Sequence, residues 1–129
     1  MHALLTTCTA KKALSRAMIP ARDRYLGARI EAAAARAQHE RIPLLFLSGV
    51  FGIIRAELPL PWYDHALQPY EVDGLIPMIA DQFAVLEVSA LTAMLREPGS
   101  PGWAPYHRLL IDGCRLAGVS LKIEQTDLE

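Results

Sequence analysis

Three groups of residues have types and spacing suited to chemistry. The first follows an apolar run, His2 to Thr7, which gives way to Cys8-Thr9-Ala10-Lys11-Lys12. Thr7, Cys8 and Thr9 can offer hydroxyls and main-chain N–H groups to a phosphate or a base, while the lysines neutralise its charge. Cys8 is a nucleophile only as its thiolate, a form that an adjacent Lys11 or Lys12 favours; inert, buried cysteine is the commoner case. The second group is Ser48-Gly49-Val50-Phe51-Gly52, which closes the apolar run beginning at Pro43. Its glycines permit a tight turn or a close backbone approach to a ligand. The third is Pro59-Leu60-Pro61-Trp62-Tyr63-Asp64-His65. A proline-braced loop holds Tyr63 and Asp64 with little freedom, so Asp64 suits a general base or a stabiliser of positive charge. In the bland alternative Asp64 caps a turn and Tyr63 packs on Trp62.

These groups exclude some chemistries. The glycines and the Gly-Lys-Ser/Thr ending of a phosphate-binding P-loop are missing, as is a dinucleotide fingerprint. Cys8, Asp64, His65 and His107 lack a recognisable metal-ligand spacing, so neither a metal nor a cofactor is expected. His2, His39 and His107 read as surface or edge residues.

The elements that position these groups alternate between strand and helix. His2–Thr7 and Leu44–Ser48 are short, continuous apolar runs, as expected of strands covered on both faces. Arg22 to Gln38, after Pro20, has the periodicity of one helix. Residues 56–68 form a long loop because Pro59 and Pro61 forbid a helix there. Asp73 is placed to cap a helix through about Asp81. Residues 83–95 are ambiguous: Val85, Leu86 and Val88 suggest a strand, whereas Leu91, Met94 and Leu95 look helical. A helix from Pro105 to Gly118 and a strand over 119–125 complete the chain. The expectation is one α/β domain, a sandwich with a mainly parallel sheet containing residues 3–7, 44–48 and 119–125. Ends of parallel strands share one edge of a sheet, where ligands bind, so Cys8 or Thr9 should approach Ser48-Gly49 and the Tyr63-Asp64 loop.

A chain of 129 residues with 52% apolar and 21% charged residues has the balance of one globular domain. No apolar run approaches a membrane span, and two distant cysteines, Cys8 and Cys114, suit the reduced thiols of the cytoplasm. The net charge of −1 hides an asymmetry: residues 1–41 hold eight Lys/Arg against three Asp/Glu, and residues 42–129 hold five against eleven. Such a split marks an anion-facing surface or a solvated helix face. Arg24, Arg29, Arg36 and Arg41 are assigned to the solvated face; Lys11, Lys12 and Arg22 lie beside the first strand's end.

At these residues the chain resembles the YaaA-type peroxide-stress family, and more closely its small bacterial relatives. The resemblance rests on Cys8-Thr9-Ala10-Lys11, Ala21-Arg22-Asp23-Arg24-Tyr25-Leu26-Gly27, Leu47-Ser48-Gly49-Val50-Phe51-Gly52 and Trp62-Tyr63-Asp64. Thr9 stands where the family has Ser, and Trp62 where it has Pro. The match covers roughly the first half of the chain. It implies an α/β sandwich similar to uracil-DNA-glycosylase-like domains, with a nucleobase, nucleotide or nucleic acid near the strand ends. On that resemblance Asp64 would be catalytic, and Thr7, Cys8, Thr9, Lys11, Arg22, Asp23, Tyr25, Ser48, Gly49, Gly52 and Tyr63 would bind substrate. The alternative is a non-catalytic ligand- or DNA-binding stress-response protein. Self-association is left open, and no membrane partner is expected.

Overall fold

The computed structural model describes all 129 residues. In chain order they form β1 (His2–Thr7), β2 (Ile19–Pro20), α1 (Ala21–Arg24), α2 (Ala28–Glu40), β3 (Leu44–Ser48), β4 (Gly52–Arg55), β5 (Pro59–Leu60), α3 (Val72–Val85), β6 (Ala90–Leu95), α4 (Ala104–Ala117) and β7 (Ser120–Gln125). The main sheet has the order β4-β3-β1-β6-β7. Its pairs are parallel except β3 with β4, which form a hairpin across Gly49–Phe51. This is the single α/β domain with a mainly parallel sheet that the alternating pattern implies. No helix is long and apolar enough to cross a membrane.

β1 lies at the centre of the sheet because it can be covered everywhere: residues 3–7 are all buried. Successive side chains of a strand point to opposite faces. Leu4 therefore packs with Ile30, Ala33 and Ala37 of α2, whereas Ala3 and Leu5 pack with Ile79, Phe83, Leu109 and Leu110 of α3 and α4. The alanines of α2 let that helix approach closely. Gly113 does the same for α4, since a Cβ there would collide with Ile79.

Three local expectations are corrected, and one strand is added. The periodicity of 22–38 conceals a break: Tyr25 is extended (φ −83°, ψ 131°) and bridges Lys12, so a one-turn α1 precedes α2. Asp73 lies in the first turn of α3 without a capping hydrogen bond and pairs with Arg108 instead. Residues 83–95 hold the reverse of the apparent pattern. α3 runs through Val85 because Phe83 continues the buried line of Ile79, one turn earlier. The strand is 90–95, and it lacks alternation because it is covered on both faces between β1 and β7. β4 was hidden in the segment after Gly52, whose φ of +72° starts the strand as few other residues can.

Candidate functional site at the carboxyl edge of the central strand

The connections around β1 leave on opposite faces. The chain passes from β1 to β3 through α2, and from β4 to β6 through α3 on the other face. The carboxyl end of β1 is thus a topological switch point, where diverging loops leave a crevice. Cys8 is the first residue beyond that end. Its N–H bonds to Leu47 O (2.9 Å), extending the ladder by one residue, and its side chain is half-buried.

Three tyrosines from separate elements surround the thiol. Tyr106, in the first turn of α4, places its hydroxyl 3.5 Å from Cys8 Sγ and accepts a hydrogen bond from Leu67 N (3.2 Å). Tyr63 hydrogen-bonds Ser48 Oγ (2.9 Å) and the Tyr25 hydroxyl, and sits edge-on to Phe51 with centroids 5.1 Å apart. Ser48 Oγ accepts from the amides of Val50 and Phe51, both at 3.1 Å. Burial raises all three phenols above their ordinary range, with the neighbouring Cys8 adding to the effect; Tyr63 is pushed up to about 12. They remain protonated donors at neutral pH.

The charges here are positive and lack acid partners. Lys12 is only 8% exposed, and its ammonium lies 4.8 Å from the Tyr63 ring centroid and 5.9 Å from that of Tyr25. It meets no carboxylate. Arg29 donates to Thr6 Oγ1 and to Thr7 O (2.9 Å), reaches Cys8 O (3.5 Å), and lies over the Trp103 ring (4.8 Å). Burial lowers it to about 10, so it stays charged. Arg24 donates to the carbonyls of Ala13, Ser15, Ala17 and Leu60, fixing the loop that carries Lys12. Arg24 and Arg29, expected on a solvated helix face, are 0% and 2% exposed. The break at Tyr25 puts Arg24 out of phase with α2 and turns it inward. His107 is also buried, bonded through Nε2 to Arg96 O (2.6 Å), rather than lying at the surface.

No family model, curated protein or solved structure matches the chain. The site therefore rests on its own geometry.

Of the residues expected there, Cys8, Tyr25, Ser48 and Tyr63 are brought together. Thr7 and Thr9 adjoin them, but their hydroxyls shape the turn: Thr7 Oγ1 donates to Cys8 O (3.1 Å), and Thr9 Oγ1 to Lys11 O (2.7 Å) while accepting from Leu26 N (3.2 Å). Lys11 is exposed, and Lys12 takes the inner position. Arg22 and Asp23 are elsewhere. They line a depression with Ala34, Gln38, Pro43 and Leu44, at the amino end of β3, and Arg22 pairs with Glu31 (3.2 Å). Gly49 and Gly52 admit close protein neighbours: a Cβ at Gly49 would lie 3.0 Å from Leu67 Cβ, and one at Gly52 would strike Met78 and Gln82. Asp64 is exposed, with neither a cap nor an ion pair.

Lys12, Arg29, Trp103 and Tyr106 complete the cluster. Trp103 and Tyr106 follow the carboxyl end of β6 through the 98–102 loop, so recognising β6 would have pointed to them. A depression of about 620 Å³ lies between β4 and α3 among Ile53, Leu58, Met78, Val85 and Leu86. Gln82 there is committed to Ile53 N (2.6 Å) and Phe51 O (2.9 Å), and Arg55, Glu57 and Asp81 also line the groove.

Proposed function

We propose that the protein binds a nucleobase- or nucleotide-type ligand at the carboxyl edge of β1, as its resemblance to the YaaA-type family implies. The observation that carries this reading is Lys12, a buried side chain whose ammonium lies against aromatic rings and meets no carboxylate at the switch point. A phosphate or another anionic group would satisfy that charge. Aromatic faces accept any base by stacking, and Trp62, 49% exposed on the same loop as Tyr63, offers one. Asp64 would accept from the ligand's N–H groups, and in an enzyme acting on a glycosidic bond it would serve as base or charge stabiliser.

A melting-temperature screen of nucleobases, nucleosides and nucleotides tests the reading, with product analysis on every hit. A ligand at about 100 times its Kd stabilises by about 2.7 kcal/mol, a shift of several degrees for a domain of this size. Nucleotides should shift the wild type and fail to shift Lys12→Met. A hit with turnover assigns an enzyme, and a hit without turnover assigns a binding protein. A screen with no response, or a response indifferent to Lys12→Met, overturns the proposal.

A further inference from the structure

The hydrogen-bond directions around Cys8 show which way its neighbours' protons point. Tyr106 O accepts from Leu67 N, which leaves its own proton for Cys8 Sγ. Ser48 Oγ already accepts from two amides, so its proton goes to Tyr63 O. Tyr25 is fully buried, and its hydroxyl hydrogen-bonds that of Tyr63. One phenolic donor, Tyr106, therefore reaches the sulfur, which receives it as an acceptor.

A cysteine among tyrosines would carry little by itself. The second observation is Lys12, more than nine-tenths buried, without a hydrogen-bond acceptor, and directed onto the Tyr63 ring. The sulfur meets the Tyr106 hydroxyl, and Lys12 places a cation without an acid partner in the same aromatic cluster. Cys114 provides the contrast. It is 1% exposed, its thiol is pushed up to about 12 by burial, and no donor or cation accompanies it.

We propose that Cys8 is a nucleophile that attacks an electrophilic carbon of an anionic substrate, with Tyr106 donating to the sulfur and Lys12 holding the substrate's charge. The thiol releases its proton to solvent, and the sulfur electron pair forms the S–C bond. The bond from that carbon to its leaving group breaks, and the leaving group departs with the electron pair. The products are a thioether or thioester on Cys8, a proton and the free leaving group. Nothing is oxidised or reduced, and the Tyr106 phenol keeps its proton. The proposal does not depend on the ligand being a nucleotide.

Iodoacetate and iodoacetamide test it, because they share a carbon electrophile and leaving group and differ in charge. Alkylation of the native full chain is followed by intact mass, with glutathione in parallel and Cys8→Ser to measure any background at Cys114. The iodoacetate-to-iodoacetamide rate ratio at Cys8 should exceed that of glutathione by about tenfold, the scale of one nearby unscreened charge. Lys12→Met should return the ratio to the glutathione value, and Lys12→Arg should retain most of the gain. Tyr106→Phe should slow both reagents alike and leave their ratio unchanged. A wild-type ratio equal to that of glutathione overturns the proposal even if a variant fails to fold. So does a ratio unchanged in a folded Lys12→Met protein, or alkylation of Cys8 only after denaturation. Because neither reagent is a nucleotide, failure here leaves the nucleotide screen to stand or fall separately.

Discussion

Under α3 and α4 the sheet buries a seventeen-residue hydrophobic cluster, with Thr7 and His107 the buried polar side chains beside it, whereas under α2 an eleven-residue cluster shares its surroundings with Arg24, Arg29 and Lys12. The first face gains from burial with little to offset it. The second must satisfy guanidinium and phenol groups through main-chain carbonyls and hydroxyls, because buried polar groups are costly when unpaired. The sheet thus divides its work. One face supplies stability, and the other keeps charge near the carboxyl edge, where Cys8 and the tyrosines converge.

The largest expected effect is on the apolar face. Phe83→Ala empties a fully buried position beside Ile79 and should cost about 3–5 kcal/mol in urea unfolding, much of a small domain's stability. A cost below that of Arg24→Met would reverse the ranking of the two faces. Arg24→Met should cost about 2–4 kcal/mol, as charge-assisted hydrogen bonds to four carbonyls are lost. It should also open residues 13–18 to limited proteolysis, and Arg24→Lys should not restore protection. Tyr25→Phe removes one buried hydroxyl and should cost about 1 kcal/mol, read as a shifted urea midpoint.

A smaller effect depends on pH. The Arg36 guanidinium holds the Glu124 carboxyl down to about 2, tying α2 to β7. A depressed carboxylate stabilises above its unfolded value, about 4.3, and that contribution is lost as pH falls from there toward about 2. The pair is partly exposed, so its worth is about 0.5–1 kcal/mol. Arg36→Met should flatten the stability profile over that interval, with Arg22→Met as the control. The smallest effect on folding belongs to Asp64→Asn. Exposed and unpaired, Asp64 should leave the melting temperature unchanged, and a weaker response to nucleotides would give it a role in binding. A melting temperature lowered by the loss of a cap would make it structural.

The architecture was legible where strands end abruptly. The runs to Thr7 and Ser48 announced two strand ends, and their parallel pairing brings Cys8, Ser48 and Tyr63 together. Periodicity could not distinguish Lys11 from Lys12, because a single bridge between Lys12 and Tyr25 decides which turns inward. Arg24 and Arg29 were misread for a related reason: charge suggests solvent unless backbone carbonyls gather around it, and only the tertiary fold gathers them. Tyr106 was missed because β6, covered on both faces, gives no alternation to mark the strand it follows.

The clamp around Arg24 has a consequence for how this chain can change. One side chain grips residues 13–17 by their peptide oxygens, which every amino acid presents alike. Leu14, Arg16 and Met18 point outward from a path they do not themselves determine, while Ser15 Oγ accepts from Ala17 N (3.2 Å). The loop entering from Lys12 can therefore be rewritten letter by letter while keeping its course, so the rim of the crevice is free to diversify around a fixed floor.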